Sequence, residues 1–551
     1  MPSSVKGAAK DALENLIEQF SDIYCFYREL VQNSLDAGSS RVDISLEYKH
    51  AEKGKKKGVM IIHVDDYGEG MNRDIIDNQL TRLFSSSKED DFSKIGKFGI
   101  GFVSVFAMKP DAVVIDTSRD GENWRIIFNK SKEFERLVRD YPVDGTKIQI
   151  IKSCTKKYYG NFYKKSMEAV YKWCRHSDSE IYFGEERVNQ PFDVESDLKV
   201  HIKENAGELV AGFSSEKKPF FGFYNKGLTL VEGNKEYFPN VTFKVKSKYL
   251  EHTLTRDNIR EEENYHKVME MLKYAAEVKL PEILFRTLKE ELENNQSYTE
   301  RYKNLFKFVW PYVAQRGSLP DYILESFLFL DVYNKPLSIK DILKMKSQEA
   351  VFVDERQNPV TDALRQKNVR VIKASVTADI FDLLKKITYE FFNHKKVYRA
   401  SAYYFVTNII GEHDLSVAEK KLVKKVNYVI RKVTAGTPGI VFADFNYDDS
   451  SVADKIYLLL KEPSAALQLV DQSLENNGFK GLFSSFFKMH TLVVNKSHPY
   501  VKKLIRLSES DVGIAAYFLA RLIHLKDGVL TATDADLAAA ALERSVPDCQ
   551  G

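Results

Sequence analysis

The sequence predicts an α+β fold, with helices laid on one antiparallel sheet over residues 1–155 and mixed α/β segments after it. Three observations carry that expectation. Apolar residues recur at helical spacing from about Lys6 to Asp36: Leu13, Leu16, Ile17, Phe20, Ile23, Tyr24, Tyr27, Leu30 and Val31. Arg41 to Tyr48 then alternates, with Val42, Ile44 and Leu46 on one face; across a charged turn at Lys53 to Gly58, Val59 to Val64 reads as its partner strand. Ala112 to Asp116, Trp124 to Phe128 and Thr146 to Ile151 supply further strands. Ala37-Gly38 ends the first helix at a glycine-type cap.

A chain of 551 residues is too long for one core. Past the first domain, strand-like pieces at Val200 to Lys203, Phe220 to Tyr224 and Val241 to Val245 precede a long helical stretch, Glu261 to Asn294. These set a middle α/β domain at 156–295, a second mixed segment at 296–400 and a helix-rich α/β domain at 401–551, a candidate for dimerisation. The last contains strands at Gly439 to Phe442 and Thr491 to Asn495. Lys156 to Arg175 mixes bases with aromatics, a combination that binds nucleic acid by charge and stacking. At helical spacing it reads better as an interdomain linker helix burying its aromatics. The Ala/Leu-rich tail, Asp534 to Arg544, suits either a partner helix or a fraying end.

Acids and bases nearly cancel, at a formal +3, which argues against a dedicated polycation for nucleic acid. Cys25, Cys154, Cys174 and Cys549 are scattered and form no metal-type pair, which fits a reduced cytoplasmic compartment. Met1 to Lys10 has no apolar core of a signal peptide, and no apolar run reaches bilayer length. The histidines show no metal-binding grouping, and His63, in a strand beside Asp65 and Asp66, reads as structural.

Three short blocks carry chemistry. In the first, Arg28-Glu29-Leu30-Val31-Gln32-Asn33-Ser34-Leu35-Asp36-Ala37, Glu29 and Asn33 share a helix face. A carboxylate there can polarise an attacking water, and an amide oxygen can hold magnesium; alone, the pair is equally a polar stripe on a surface helix. The second block, Asp65-Asp66-Tyr67-Gly68-Glu69-Gly70-Met71, puts an acid at a strand end, where it can accept from an exocyclic amine such as that of adenine. Alone, it is an acidic turn. The third, Ile95-Gly96-Lys97-Phe98-Gly99-Ile100-Gly101-Phe102, runs into an apolar helical stretch and suits backbone amides cradling phosphate. It lacks the spacing of a P-loop and the βαβ frame of a dinucleotide site.

Read together, ELxxNxxDA, DxGxGM and GxFGxGF resemble, in that order, the N-terminal motifs of the GHKL ATPases, whose ATP-binding domain is the Bergerat-type α/β sandwich. Within that superfamily the resemblance is closest to the heat-shock-protein-90 chaperones. Ser85-Ser86-Ser87-Lys88 is similar to their SGTK stretch, IGKFGIGF to their glycine loop, and Leu254-Thr255-Arg256 to the segment that carries their catalytic arginine. Val493-Val494-Asn495-Lys496-Ser497-His498-Pro499 is similar to an NxxHP segment of bacterial members. The resemblance implies ATP and Mg2+ as ligands and gives each residue a role. Glu29 is the expected general base and Asn33 the magnesium ligand; Asp66 reads the adenine amine, and Ala37, Gly70 and Met71 shape the adenine wall. Gly96, Gly99 and Gly101 bind phosphates from a mobile lid of about residues 72–101, and Lys88, Lys97, Phe98, Ile100 and Phe102 join them as nucleotide-binding residues. Thr146, in the Gly145-Thr146 pair, supports adenine, and Arg256 is an arginine finger in cis, though taken alone it is a surface arginine at a helix start. Phe84 stands where the family has a lysine, removing one phosphate contact, and Lys97 replaces the usual glutamine and offers a cation in return.

The expected function is an ATP-dependent chaperone, a homodimeric clamp that closes on protein clients. The alternative is a GHKL ATPase of a nucleic-acid-directed repair, compaction or defence system. A histidine kinase needs a phospho-acceptor helix ahead of motifs that here begin near residue 29.

Overall fold

A computed structural model describes residues 13–20, 22–50, 57–85, 100–205, 207–251, 259–314, 319–345, 348–392, 395–434, 439–470, 491–526, 529–530 and 533–543. It divides into two compact units, Met1–Ile283 and Leu284–Gly551.

In the first unit, strands β1 (Arg41–Lys49), β2 (Gly58–Asp66), β3 (Ala112–Arg119), β4 (Glu122–Asn129), β5 (Phe134–Val138), β6 (Thr146–Cys154), β7 (Glu180–Phe183) and β8 (Glu186–Arg187) form one sheet. Their order is β5-β4-β3-β6-β2-β1-β7-β8, and only the β1–β7 pair is parallel. Helices α1 (Phe26–Asp36) and α2 (Lys156–Cys174) belong to the same unit.

Alternation along the strands decides what faces the core. Met60, Ile62 and Val64 are buried on β2, Val113 and Ile115 on β3, and Ile148 and Ile150 on β6. Each series ends, at the same parity, in a buried polar residue: Asp66, Thr117 and Thr146 respectively. The register sets these side by side, because Asp66 pairs with Thr146 and Thr146 with Thr117. The polar row is therefore the rim of the apolar face, fixed by the same period of two that builds the core. α1 buries Phe26, Tyr27, Leu30, Val31, Ser34 and Leu35, so its inward stripe also ends in a polar group, Ser34.

The expected helix from Lys6 to Asp36 is not continuous. Residues 13–18 are helical, a turn follows, and α1 starts at Phe26. The backbone N–H of Tyr24 donates to Asp22 Oδ1 at 2.9 Å, a side-chain turn that competes with the helix. The sheet also runs past residue 155, through β7 and β8. α2 buries its aromatics only in part: Phe162 is buried and Tyr159 and Trp173 pack half-buried against the core, but Tyr158, Tyr163 and Tyr171 are exposed, and the buried stripe is Phe162, Ser166, Val170 and Cys174.

A second, five-stranded sheet of this unit comprises Lys199–Glu204, Gly207–Phe213, Phe220–Asn225, Leu228–Asn234 and Val241–Lys246. The helical stretch expected from Glu261 runs as Glu263–Tyr274, a wide turn at Ala275–Lys279, and Leu280–Asn295.

In the second unit, the strand Val351–Asp354 pairs in parallel with Val371–Lys373 on one side and Val397–Arg399 on the other. Ile440–Asp444 and Thr491–Asn495 form a parallel pair in a four-stranded sheet whose core includes Leu422, Val426, Leu504 and Leu519. The tail helix, Asp534–Leu542, buries Leu537, Ala540 and Ala541 in that core, so this part of the tail packs within its own chain. At the NxxHP-like corner, His498 Nδ1 accepts from the N–H of Tyr500 at 3.1 Å and caps the helix Pro499–Ser510. No described helix is long and apolar enough to cross a membrane.

Candidate functional site

The carboxylate of Asp66, at the end of β2, is buried and accepts three hydrogen bonds. Oδ1 takes the N–H of Gly68 at 3.0 Å and that of Thr146 at 3.2 Å; Oδ2 takes the Ser34 hydroxyl at 3.2 Å. Burial pushes this carboxyl above its usual range, against the lowering effect of those donors. The Thr117 hydroxyl accepts the N–H of Met71 at 2.8 Å and lies 3.2 Å from the Thr146 hydroxyl. The turn that carries Gly70 and Met71 is thus tied to β3 and β6, while the Met71 side chain packs against the core. Gly70 has φ +67°, and a Cβ on it would lie 2.2 Å from the Ser118 carbonyl oxygen, so only glycine fits there. The Ala37 carbonyl accepts the N–H of Glu69 at 3.0 Å, which seats this turn against the end of α1.

The other end of α1 carries Glu29. Its Oε1 accepts from Arg28 Nε at 3.2 Å and Nη2 at 3.0 Å. The Arg28 guanidinium is buried and lies 4.8 Å from the centre of the Trp173 ring, on α2. Glu29 Oε2 lies where a Cβ on Gly101 would be 2.7 Å away. The end of the glycine block therefore abuts the expected general base, and the missing side chain is what permits the approach. Asn33 sits one helical turn from Glu29 on the same face and is exposed. Its amide oxygen suits magnesium, which takes one or two protein oxygens and completes its shell with phosphates and water. No cluster of three or more His, Cys, Asp or Glu residues able to hold a metal exists among the described residues.

The structure thus brings Glu29, Asn33, Ala37, Asp66, Gly70, Met71, Gly101 and Thr146 around α1 and the ends of β2 and β6. Ile100 begins a short helical turn, Ile100–Val103. The Phe102 ring is buried with Phe84, Phe106 and Phe128, at 6.1, 5.9 and 5.4 Å between centroids, which leaves only its backbone to reach a nucleotide. Phe84, in the family's lysine position, is part of that aromatic cluster. Lys88, Gly96, Lys97, Phe98, Gly99 and Arg256 lie outside the described residues. His63 has the opposite parity to Asp66 on β2, and its Nε2 lies 3.8 Å from Glu47 on the neighbouring strand, a structural setting.

Three contributors escaped the sequence reading: Ser34, Thr117 and Arg28. Ser34 stands inside the first block, and its position in the buried helical stripe was the available signal. Thr117 closes an alternating apolar run, as Asp66 does. Nothing in the sequence alone marks Arg28 as buried.

A profile of the family described as histidine kinase-, DNA gyrase B-, and HSP90-like ATPase matches residues 27–160. The chain is 29% identical over 251 residues to the chaperone protein HtpG of Anaplasma phagocytophilum, covering 39% of this chain and 38% of that protein. It is 26% identical over 264 residues to HtpG of Fusobacterium nucleatum, 42% of each chain. It is also 27% identical over 129 residues to the DNA mismatch repair protein MutL of Cellvibrio japonicus, 22% of this chain and 19% of that one. The matched stretch spans about two fifths of the HtpG relatives.

Proposed function

From the premise that this chain is a divergent GHKL ATPase similar to HtpG, we propose that it binds Mg-ATP between α1 and the ends of β2, β3 and β6 and hydrolyses it slowly. The observation that supports this is the double engagement of one helix. Ser34 of α1 hydrogen-bonds the buried Asp66, while Glu29 of the same helix meets Gly101. An adenine amine donates to Asp66, whose oxygens accept in a setting where a charge-assisted bond is worth about 1.5–3 kcal/mol. Glu29 orients and deprotonates the attacking water, and the glycine-loop amides hold the phosphates. Asn33 would hold magnesium in part, and the ion would neutralise phosphate charge when bound. Arg256 completes the site from the middle region by contacting the γ-phosphate.

The cycle that fits is that of an HtpG-like chaperone: a cytoplasmic homodimer whose lid closes on ATP, clamps a protein client and reopens after hydrolysis. Turnover of wild-type protein with Mg-ATP, paired with small-angle scattering with and without a non-hydrolysable analogue, tests it. Slow hydrolysis and nucleotide-dependent compaction are expected. No nucleotide binding contradicts the ATPase reading, and binding without compaction contradicts the clamp.

The MutL match favours a second reading, an ATPase directed at nucleic acid. Stimulation of turnover by DNA, with no client effect, is its signature.

A further inference from the structure

The outer face of α2 is built unlike an ordinary solvated helix. Tyr163, Met167 and Tyr171, spaced four apart, form one stripe and are 37%, 40% and 41% exposed. Beside that stripe, Lys157, Lys164 and Lys172 follow the helix, and Lys156 and Lys165 extend the charge; all five are exposed. Glu168 is the one acid in the helix. The helix thus carries five lysines against one glutamate, while the whole chain sums to +3. None of these lysines has a carboxylate partner among the described ion pairs, whereas Arg41 and Arg187 of the adjoining strands do. The buried stripe, Phe162, Ser166, Val170 and Cys174, already anchors the helix, so the outer aromatics are not needed for the core. The ring of Tyr163 meets Phe183 edge-on at 5.3 Å and is held in place, which lowers the entropy cost of stacking on it.

We propose that this face of α2 binds single-stranded nucleic acid, the lysines contacting phosphates and Tyr163 and Tyr171 stacking on bases. The occupant follows from charge and shape. A row of cations without described carboxylate partners, Lys172 resting on the Trp173 ring at 4.6 Å, calls for a polyanion. The face is convex, about 28 Å long, and offers no groove for a partner helix. Rigid rings interleaved with lysines match the stacking-plus-charge mode that binds strands without reading sequence. This goes beyond the ATPase reading and does not depend on it.

The test is fluorescence anisotropy of the full chain with labelled oligo(dT) and oligo(U) of about 20 residues, from about 50 to 300 mM salt. The variants are the pair Lys164→Glu/Lys165→Glu and the single Tyr171→Ala. None of these residues belongs to the ATP site, so unchanged basal ATPase activity and melting temperature report that the fold survives. Wild type is expected to bind with a log–log salt slope of about −2 to −3, as three or four phosphate contacts give. Reversing the two lysines should weaken binding at least about tenfold and flatten the slope; Tyr171→Ala should weaken it about fivefold or more. No binding at low salt, or binding indifferent to both variants, overturns the proposal. So does poly-glutamate competing as well as the oligonucleotides do, which would mark the face as a site for acidic protein.

Discussion

Ser34 and Glu29 stand five residues apart on α1, yet the two ends of the helix build their contacts differently. Ser34 is buried, and its partner Asp66 takes three hydrogen bonds from three separate segments. Glu29 is half-buried, and its described bonds come from its own neighbour Arg28; what faces it otherwise is a glycine at the edge of the loop block. The first end is over-determined by strand register. The second carries an ion pair from the adjacent residue in sequence and the close approach of Gly101. On the proposed function, the Ser34 end would serve base binding and the Glu29 end turnover, so substitutions at the two ends should differ in what they change.

The largest effect is expected at Asp66. Asp66→Asn removes a charged acceptor from a site with two backbone donors aimed at it, and should lower ADP affinity about a hundredfold by titration calorimetry. Affinity within about threefold of wild type would dissolve the distinction. Gly101→Ala should act on the other end alone. Alanine suits a helical turn, so stability should hold, but its Cβ displaces the Glu29 carboxylate; kcat should fall about tenfold with nucleotide affinity unchanged. Thr117→Val deletes the acceptor for the Met71 N–H and should cost about 1–3 kcal/mol of stability, read as a lower melting temperature, with a few-fold loss of affinity.

The smallest effect is one of pH. Burial raises the Asp66 carboxyl above its usual value, and the charged form is the one that accepts from an amine. ADP affinity should therefore begin to fall on acidification from pH 7 before an ordinary carboxylate near 3.8 would protonate. The same sign means that the buried charge of Asp66 opposes folding at neutral pH, and that protonation on acidification relieves it. An affinity flat down to about pH 4.5 would show that Asp66 titrates normally.

Much of the first region was legible because its signals are local. Alternation fixed β1, β2 and β6 to within three residues, and Glu29, Asp66 and Gly101 stood in blocks that are ambiguous one at a time and gain their meaning from their joint order. What the sequence hid was non-local. That Thr117 stands beside Thr146 follows from β3–β6 register, and that Arg28 lies under Trp173 follows from packing across helices. β7 and β8 are too short to show a period, so the sheet's extension past residue 155 had no signature. In α2 the helical spacing was right and its meaning only half so, because periodicity does not say which of the aromatics face inward: Phe162, Tyr159 and Trp173 pack on the core while Tyr158, Tyr163 and Tyr171 do not. The second unit shows the converse case. Strands at Ile440–Asp444 and Thr491–Asn495 were readable, but they end in caps and core contacts, and so gave chemistry nothing to announce.

The most direct test of the division within α1 is Glu29→Ala assayed for ATP binding and phosphate release in parallel. The account predicts ATP bound with near wild-type affinity and release slowed by a factor of about 10² to 10⁴. Loss of binding in that variant, or turnover at the wild-type rate, would contradict it.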